Sequence, residues 1–145
     1  MLSTGDVAPP FTATAHDGTT VSLNDYRGRM VLLWFYPKAD TPGCTAEGCG
    51  FRDQYAEFRR RGIVVLGASF DSVEDNTAFA KKFNFPFLLL CDQDRAIGSS
   101  YGAAEPGSAF PRRISFLIDG AGRIARVYDP VNARTHPVEV LADFD

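Results

Sequence analysis

Three cysteines, Cys44, Cys49 and Cys91, are the residues of this 145-residue sequence whose chemistry depends most on where they sit. The thiolate, not the thiol, is the attacking form of cysteine. Cys44 closes the string Pro37-Lys38-Ala39-Asp40-Thr41-Pro42-Gly43-Cys44, which follows a continuous apolar run, Met30 to Tyr36. Thr41 suits a helix N-cap and Pro42 suits the first helical position. Cys44 is therefore expected in the first turn of a helix, where free backbone N–H groups and the positive dipole end favour the thiolate. The competing reading is a buried cysteine that packs as a small apolar residue. A capped helix start, rather than mid-strand, argues for the reactive reading. No Cys-x-x-Cys occurs, which disfavours a thioredoxin-type disulfide exchanger. His16 falls in a turn and His136 in the C-terminal tail, and neither pairs with the cysteines at zinc-ligand spacing. No metal site is expected, and no phosphate-binding glycine loop appears.

The elements that must position Cys44 follow from periodicity and turn chemistry. Residues 11–15 and 19–23 form an expected hairpin around His16-Asp17-Gly18. The run Met30 to Tyr36, ended by Pro37, suits a central strand covered on both faces, with Trp34 in its core. One helix is predicted from Thr41-Pro42 to Gly62, burying Phe51, Tyr55 and Phe58. Arg59, Arg60 and Arg61 close its last turn as a solvated face that complements the dipole. A strand over Ile63 to Phe70, a helix over Ser72 to Phe83, a strand over Phe87 to Leu90 and a short helix over Asp94 to Tyr101 follow. Gly102 to Pro111 is a surface connection. Ile114 to Ile118 and Arg123 to Tyr128 form a second hairpin, and a last helix covers Pro137 to Phe144. Alternating strands and helices imply an α/β layer structure in which the first two central strands run parallel. The expected fold is thioredoxin-like, a mixed sheet flanked by helices with an N-terminal hairpin, in one domain over residues 1–145.

Composition excludes several classes. The chain is 45% hydrophobic with a formal net charge of -3, so it can bury a core and presents no dominant basic surface for nucleic acid or anionic membrane. No apolar stretch approaches the length of a membrane span. The N-terminal ten residues lack a basic start and an apolar stretch, so a cytoplasmic protein is expected. The odd, low cysteine count does not suggest a disulfide scaffold.

At Pro37, Thr41 and Cys44 the sequence resembles the peroxiredoxins, whose signature is Pro-x-x-x-Thr-x-x-Cys. Phe35-Tyr36-Pro37-Lys38 and Thr41-Pro42-Gly43-Cys44-Thr45 are similar to the bacterioferritin comigratory protein (PrxQ) branch. Further matches are Gly5-Asp6-x-Ala8-Pro9, Asp17-Gly18, Phe51-Arg52-Asp53, Val65-Leu66-Gly67 and Arg113-Ile114-Ser115-Phe116-Leu117-Ile118-Asp119, so the resemblance spans nearly the whole chain. It implies a cofactor-free thiol peroxidase acting on hydrogen peroxide and organic hydroperoxides, recycled by thioredoxin or a similar thiol donor.

The resemblance also implies roles. Cys44 is the peroxidatic cysteine, and Thr41 hydrogen-bonds the thiolate and the peroxide. Arg113 holds the developing charge, while Arg112 should face the opposite way by strand alternation. Pro37 shields the sulfur, and Glu47 either orients the arginine or is an exposed helix carboxylate. Cys49 is the resolving cysteine. Cα atoms five residues apart in a helix lie roughly 8–9 Å apart, whereas a disulfide needs about 7 Å or less. The Cys44–Cys49 bond therefore requires unwinding of the first turn or more. Cys91 is read as a half-buried free thiol, with a backup resolving role as the alternative. Two rival functions remain: a redox-sensing or holdase module, and a one-cysteine peroxidase in which Cys49 is structural. A monomer is expected.

Overall fold

The computed structural model describes residues 2–143. The N-terminal hairpin pairs β1 (Thr12–Thr14) with β2 (Thr20–Ser22), antiparallel. Its turn closes through the Ala15 N–H on the Thr19 carbonyl at 2.8 Å, and Gly18 takes the positive φ of 87° that the turn needs. A 3-10 helix, Leu23–Tyr26, follows where the sequence predicted the end of a strand. The Asp25 carboxylate accepts from the Ser22 N–H at 3.0 Å, so the Ser-x-x-Asp spacing is the signal for it.

The main sheet has the order β5-β4-β3-β6-β7. β3 (Met30–Phe35) is central and parallel to β4 (Ile63–Ser69), as the crossover rule requires. β5 (Leu88–Cys91) extends the parallel side. β6 (Ile114–Ile118) runs antiparallel to β3, and β7 (Ile124–Tyr128) closes the far edge. The N-terminal hairpin docks on β5: the His16 N–H donates to the Leu89 carbonyl at 2.8 Å, and the Leu89 N–H donates to His16 Nδ1 at 3.1 Å. That contact covers a sheet edge.

Alternation along the strands divides two cores. Leu33, Phe35, Leu66, Leu90 and Phe116 face the hairpin and the short helix α4 (Ala96–Ser100). Leu32, Trp34, Leu89 and Leu117 face α1 (Pro42–Asp53), α2 (Tyr55–Arg60), α3 (Val73–Lys82) and α5 (His136–Ala142). Trp34 is fully buried there, against Tyr36, Phe51 and Phe87.

The single helix expected from Thr41 to Gly62 is two. Gln54, at φ -99° and ψ 7°, separates α1 from α2. Phe51 and Phe58, one on each helix, lie on the same side and enter one core, their ring centroids 5.5 Å apart. Arg59 and Arg60 are exposed, and Arg60 and Arg61 pair with Glu57, as a solvated helix end does. His136 is not in a loose tail. It opens α5, is buried, and pairs through Nε2 with Ser115 Oγ at 2.8 Å. Burial pushes its imidazole down to about 4, so it is neutral near pH 7. The expected end of this helix at Phe144 lies outside the described residues. Among the described residues no helix is long and apolar enough to cross a membrane.

Candidate active site

The site forms where β3 ends and α1 begins, at the carboxyl end of the central parallel strands. Pro37 follows the last buried residue of the strand run and is itself half-buried. The next turn, Lys38-Ala39-Asp40, is held from α3 and its approach. The Ala39 N–H donates to Asp71 Oδ2 at 2.8 Å, and Asp40 pairs with Lys82 Nζ at 3.0 Å. Asp40 sits at φ 59°, a left-handed position that Asp tolerates better than most residues. These contacts aim the chain into α1.

Thr41 is the N-cap residue, with extended backbone at φ -101° and ψ 157°, and its carbonyl accepts from the Thr45 N–H at 2.8 Å. Its side chain does not cap the helix. The hydroxyl turns back and donates to the Lys38 carbonyl at 2.8 Å. Its proton is thus engaged in the loop, while its lone pairs keep acceptor capacity.

Cys44 is the third residue of α1 and is fully buried. Arg113 reaches it from the far side of the sequence. β6 is antiparallel to β3 and pairs Ile114 with Phe35, so the residue before Ile114 lies level with the end of β3. Arg113 therefore stands just ahead of the strand rather than within it. Its Nη2 donates to Cys44 Sγ at 3.4 Å and its Nη1 to Glu47 Oε1 at 2.8 Å. Arg112 turns away, to Asp129 and the Gly102 carbonyl, in the opposite direction expected of it, though both arginines precede the strand. Gly43 makes room for the guanidinium: a Cβ there would lie 2.8 Å from Arg113 Nη2.

Glu47 is one turn beyond Cys44 and is fully buried, so the exposed reading is wrong. Its second oxygen, Oε2, has no hydrogen-bond partner among the described residues. Burial pushes its carboxyl up to about 7, and the Arg113 pairing only partly offsets that. Glu47 anchors the fork of Arg113 in register with the sulfur.

Cys49 lies in the same intact helix and is half-buried, and burial pushes its thiol up. All three cysteines are free. Cys91 is more buried than expected, at 7% exposure, and receives the Asn76 amide on Sγ at 3.5 Å. Asn76 belongs to a network that motif reading misses. Tyr36 donates to Asn76 Oδ1 at 2.6 Å, and Asn76 Nδ2 donates to Ser69 Oγ at 3.2 Å. Tyr36, Ser69 and Asn76 are buried. Burial holds the Tyr36 phenol well above its ordinary value, and both Cys44 and Cys91 are near enough to add to that. The network props the end of β3 beneath the site.

Residues 4–127 match the AhpC/TSA family. The chain is 42% identical to the putative peroxiredoxin bcp of Coxiella burnetii, over 97% of each chain. It is 39% identical to the chloroplastic peroxiredoxin Q of Sedum lineare, over 88% of this chain and 69% of that one. Among solved structures, peroxidoxin BcpB of Mycobacterium tuberculosis superposes with a TM-score of 0.91 at 31% identity, covering 98% of this chain and 96% of the other. A cysteine-to-serine variant of PrxQ from Xylella fastidiosa gives 0.93 at 28% identity, covering 99% and 96%. The fold is the thioredoxin-like one expected.

Proposed function

We propose, from the premise that the chain belongs to the AhpC/TSA family as a peroxiredoxin of the Bcp and PrxQ kind, that Cys44 is the residue that attacks the peroxide. The protein is a thiol-dependent peroxidase. The observation that carries the assignment is the guanidinium of Arg113, 3.4 Å from the Cys44 sulfur in the first turn of α1. Cation and helix terminus both favour negative charge at that point.

In the first step the Cys44 thiolate attacks one peroxide oxygen in line with the O–O bond. An S–O bond forms, the O–O bond breaks, and the departing oxygen takes a proton from solvent, where the thiol left its own, and leaves as water or alcohol. Sulfur is oxidised to sulfenic acid and the peroxide is reduced. Arg113, already placed, meets the charge that moves onto the leaving oxygen. Thr41 takes a different part from simple donation. Its proton is given to Lys38, so its free lone pair accepts the peroxide O–H and fixes the substrate's orientation. Pro37, half-buried at the start of the loop, shields the sulfur from water.

In the second step the Cys49 thiol condenses with the sulfenic acid, releasing water and leaving a Cys44–Cys49 disulfide. An external dithiol such as thioredoxin then returns both cysteines to thiols. The Xanthomonas campestris bacterioferritin comigratory protein, 29% identical to this chain, has alkyl peroxide reduction activity. That supports organic hydroperoxides beside hydrogen peroxide as substrates here. The working form is a cytoplasmic monomer. A reductase-coupled peroxide assay on wild type, Cys44→Ser, Cys49→Ser and Cys91→Ser tests the scheme. Loss of activity only in the first two is expected, and an active Cys44→Ser protein would end it.

A further inference from the structure

A cleft of about 200 Å³ opens at the end of the sheet opposite Cys44. Tyr26, Arg29, Tyr55 and Arg59 stand around it, and Val64, Leu66 and Phe87 lie beneath. Its walls are two Tyr–Arg couples made by local geometry. Tyr26 ends the 3-10 helix, and the Arg29 N–H donates to the Tyr26 carbonyl at 2.9 Å, which sets the pair on one turn. Tyr55 and Arg59 are one turn apart on α2 and so share a face. Burial raises the Tyr26 phenol, and Tyr55 is close enough to add a little to that rise. β5 begins only at Leu88, opposite Leu66, so the first three residues of β4 have no strand on that side. The gap in the sheet edge is the cleft.

Both guanidinium groups are exposed and uncompensated. Among the described residues, neither the Arg29 nor the Arg59 side chain makes an ion pair or a hydrogen bond. Their neighbours do: Arg60 and Arg61 share Glu57, and Arg27 donates to the Ala121 carbonyl at 3.2 Å. Asp25 and Asp17 lie near Tyr26 without reaching either arginine. Burial raises the Tyr26 phenol, which keeps it a donor at neutral pH. Two forked cations and phenolic donors above an apolar floor match one ligand chemistry.

We infer that this cleft binds a small free organic anion, a phosphate or carboxylate carried on an apolar stem. The anionic head sits between Arg29 and Arg59, and the stem lies on Leu66 and Phe87. The site is six strand residues from the end of β3, about 20 Å from the peroxide chemistry, and does not depend on it.

The test titrates reduced full-length protein with phenyl phosphate, inorganic phosphate and benzyl alcohol by isothermal calorimetry. One saturable site for phenyl phosphate is expected, with inorganic phosphate weaker and benzyl alcohol not saturating. Arg29→Gln and Arg59→Gln should each weaken phenyl phosphate at least about tenfold, the size of one charge-assisted hydrogen bond, while peroxidase activity stays at the wild-type level. Amide shift mapping on the wild type should place the ligand at residues 26, 55, 64 and 87. No saturable binding, shifts elsewhere, or unchanged affinity in the folded double variant would each overturn the inference.

Discussion

Gly43→Ala separates the position of the Arg113 charge from the stability of the fold. The added Cβ would lie 2.8 Å from Arg113 Nη2 and 3.4 Å from its Cζ. The clash is with the end of a flexible side chain, 21% exposed, so the arginine yields and the backbone stays. Ordinary contact requires a retreat of about 0.6 Å, the gap between 2.8 Å and 3.4 Å. Its fork then cannot hold both Cys44 Sγ at 3.4 Å and Glu47 Oε1 at 2.8 Å. A hydrogen bond to a charged group is worth about 1.5–3 kcal/mol, and 1.4 kcal/mol is a factor of about ten in rate. The second-order rate of reduced protein with hydrogen peroxide should therefore fall about 10- to 100-fold. Alanine in place of glycine favours the helix by up to ~1 kcal/mol, so the urea midpoint should hold or rise. Stopped-flow fluorescence of Trp34, packed on Phe51 of α1, follows the reaction. Arg113→Ala is the reference and should lose at least as much. A folded Gly43→Ala protein as fast as wild type would falsify the role given to the guanidinium.

Gly48→Ala should behave oppositely. Its Cβ would meet Phe85 Cζ at 2.5 Å, inside a stack with Phe87, so destabilisation of about 1–3 kcal/mol is expected in urea unfolding. Glu47 gives a pH signature. Its folded value, about 7, is raised from 4.5, so its contribution is full below about 4.5 and is lost as pH rises through 7. Wild type should thus lose about 3 kcal/mol between pH 4.5 and 8 relative to Glu47→Gln, and parallel pH profiles of the two would contradict the buried placement. One equivalent of peroxide should give a Cys44–Cys49 link by mass spectrometry, with Cys49→Ser trapped as sulfenic acid; persistent sulfenic acid in wild type counts against Cys49 as the second thiol. In that disulfide form the amides of residues 43–50 should exchange faster, and a crystal of it with 43–50 still helical would refute the unwinding.

The strand, loop and helix around Cys44 were legible because local signals agree. An apolar run, Pro37, and Thr41-Pro42 all place the same boundary. The partner Arg113 was named by motif resemblance, but what brings it to the sulfur is the antiparallel register of Phe35 with Ile114, a tertiary fact. Glu47 is ambiguous for a physical reason: a helix carboxylate is normally solvated, and its burial here rests on the Arg113 pairing together with a raised carboxyl pKa. Tyr36, Ser69, Asn76 and Cys91 come from four separate segments, so no local pattern could join them. The break at Gln54 has no local sequence signal, because nothing in its neighbours forbids helix. Thr41 has the right residue type for a cap, yet its hydroxyl donates to the Lys38 carbonyl and caps nothing.

Phe51 touches the rings of Trp34, Phe58, Phe87 and His136 and has no exposed surface. Withdrawing such a ring would cost about 3–5 kcal/mol. It acts as a tent peg: everything on its C-terminal side stays pitched, and all slack must be drawn from the guy-line on its N-terminal side. Both cysteines lie on that line, Cys49 two residues from the peg and Cys44 seven, so in the proposed Cys44–Cys49 link the Cys44 sulfur should travel farther than the Cys49 thiol.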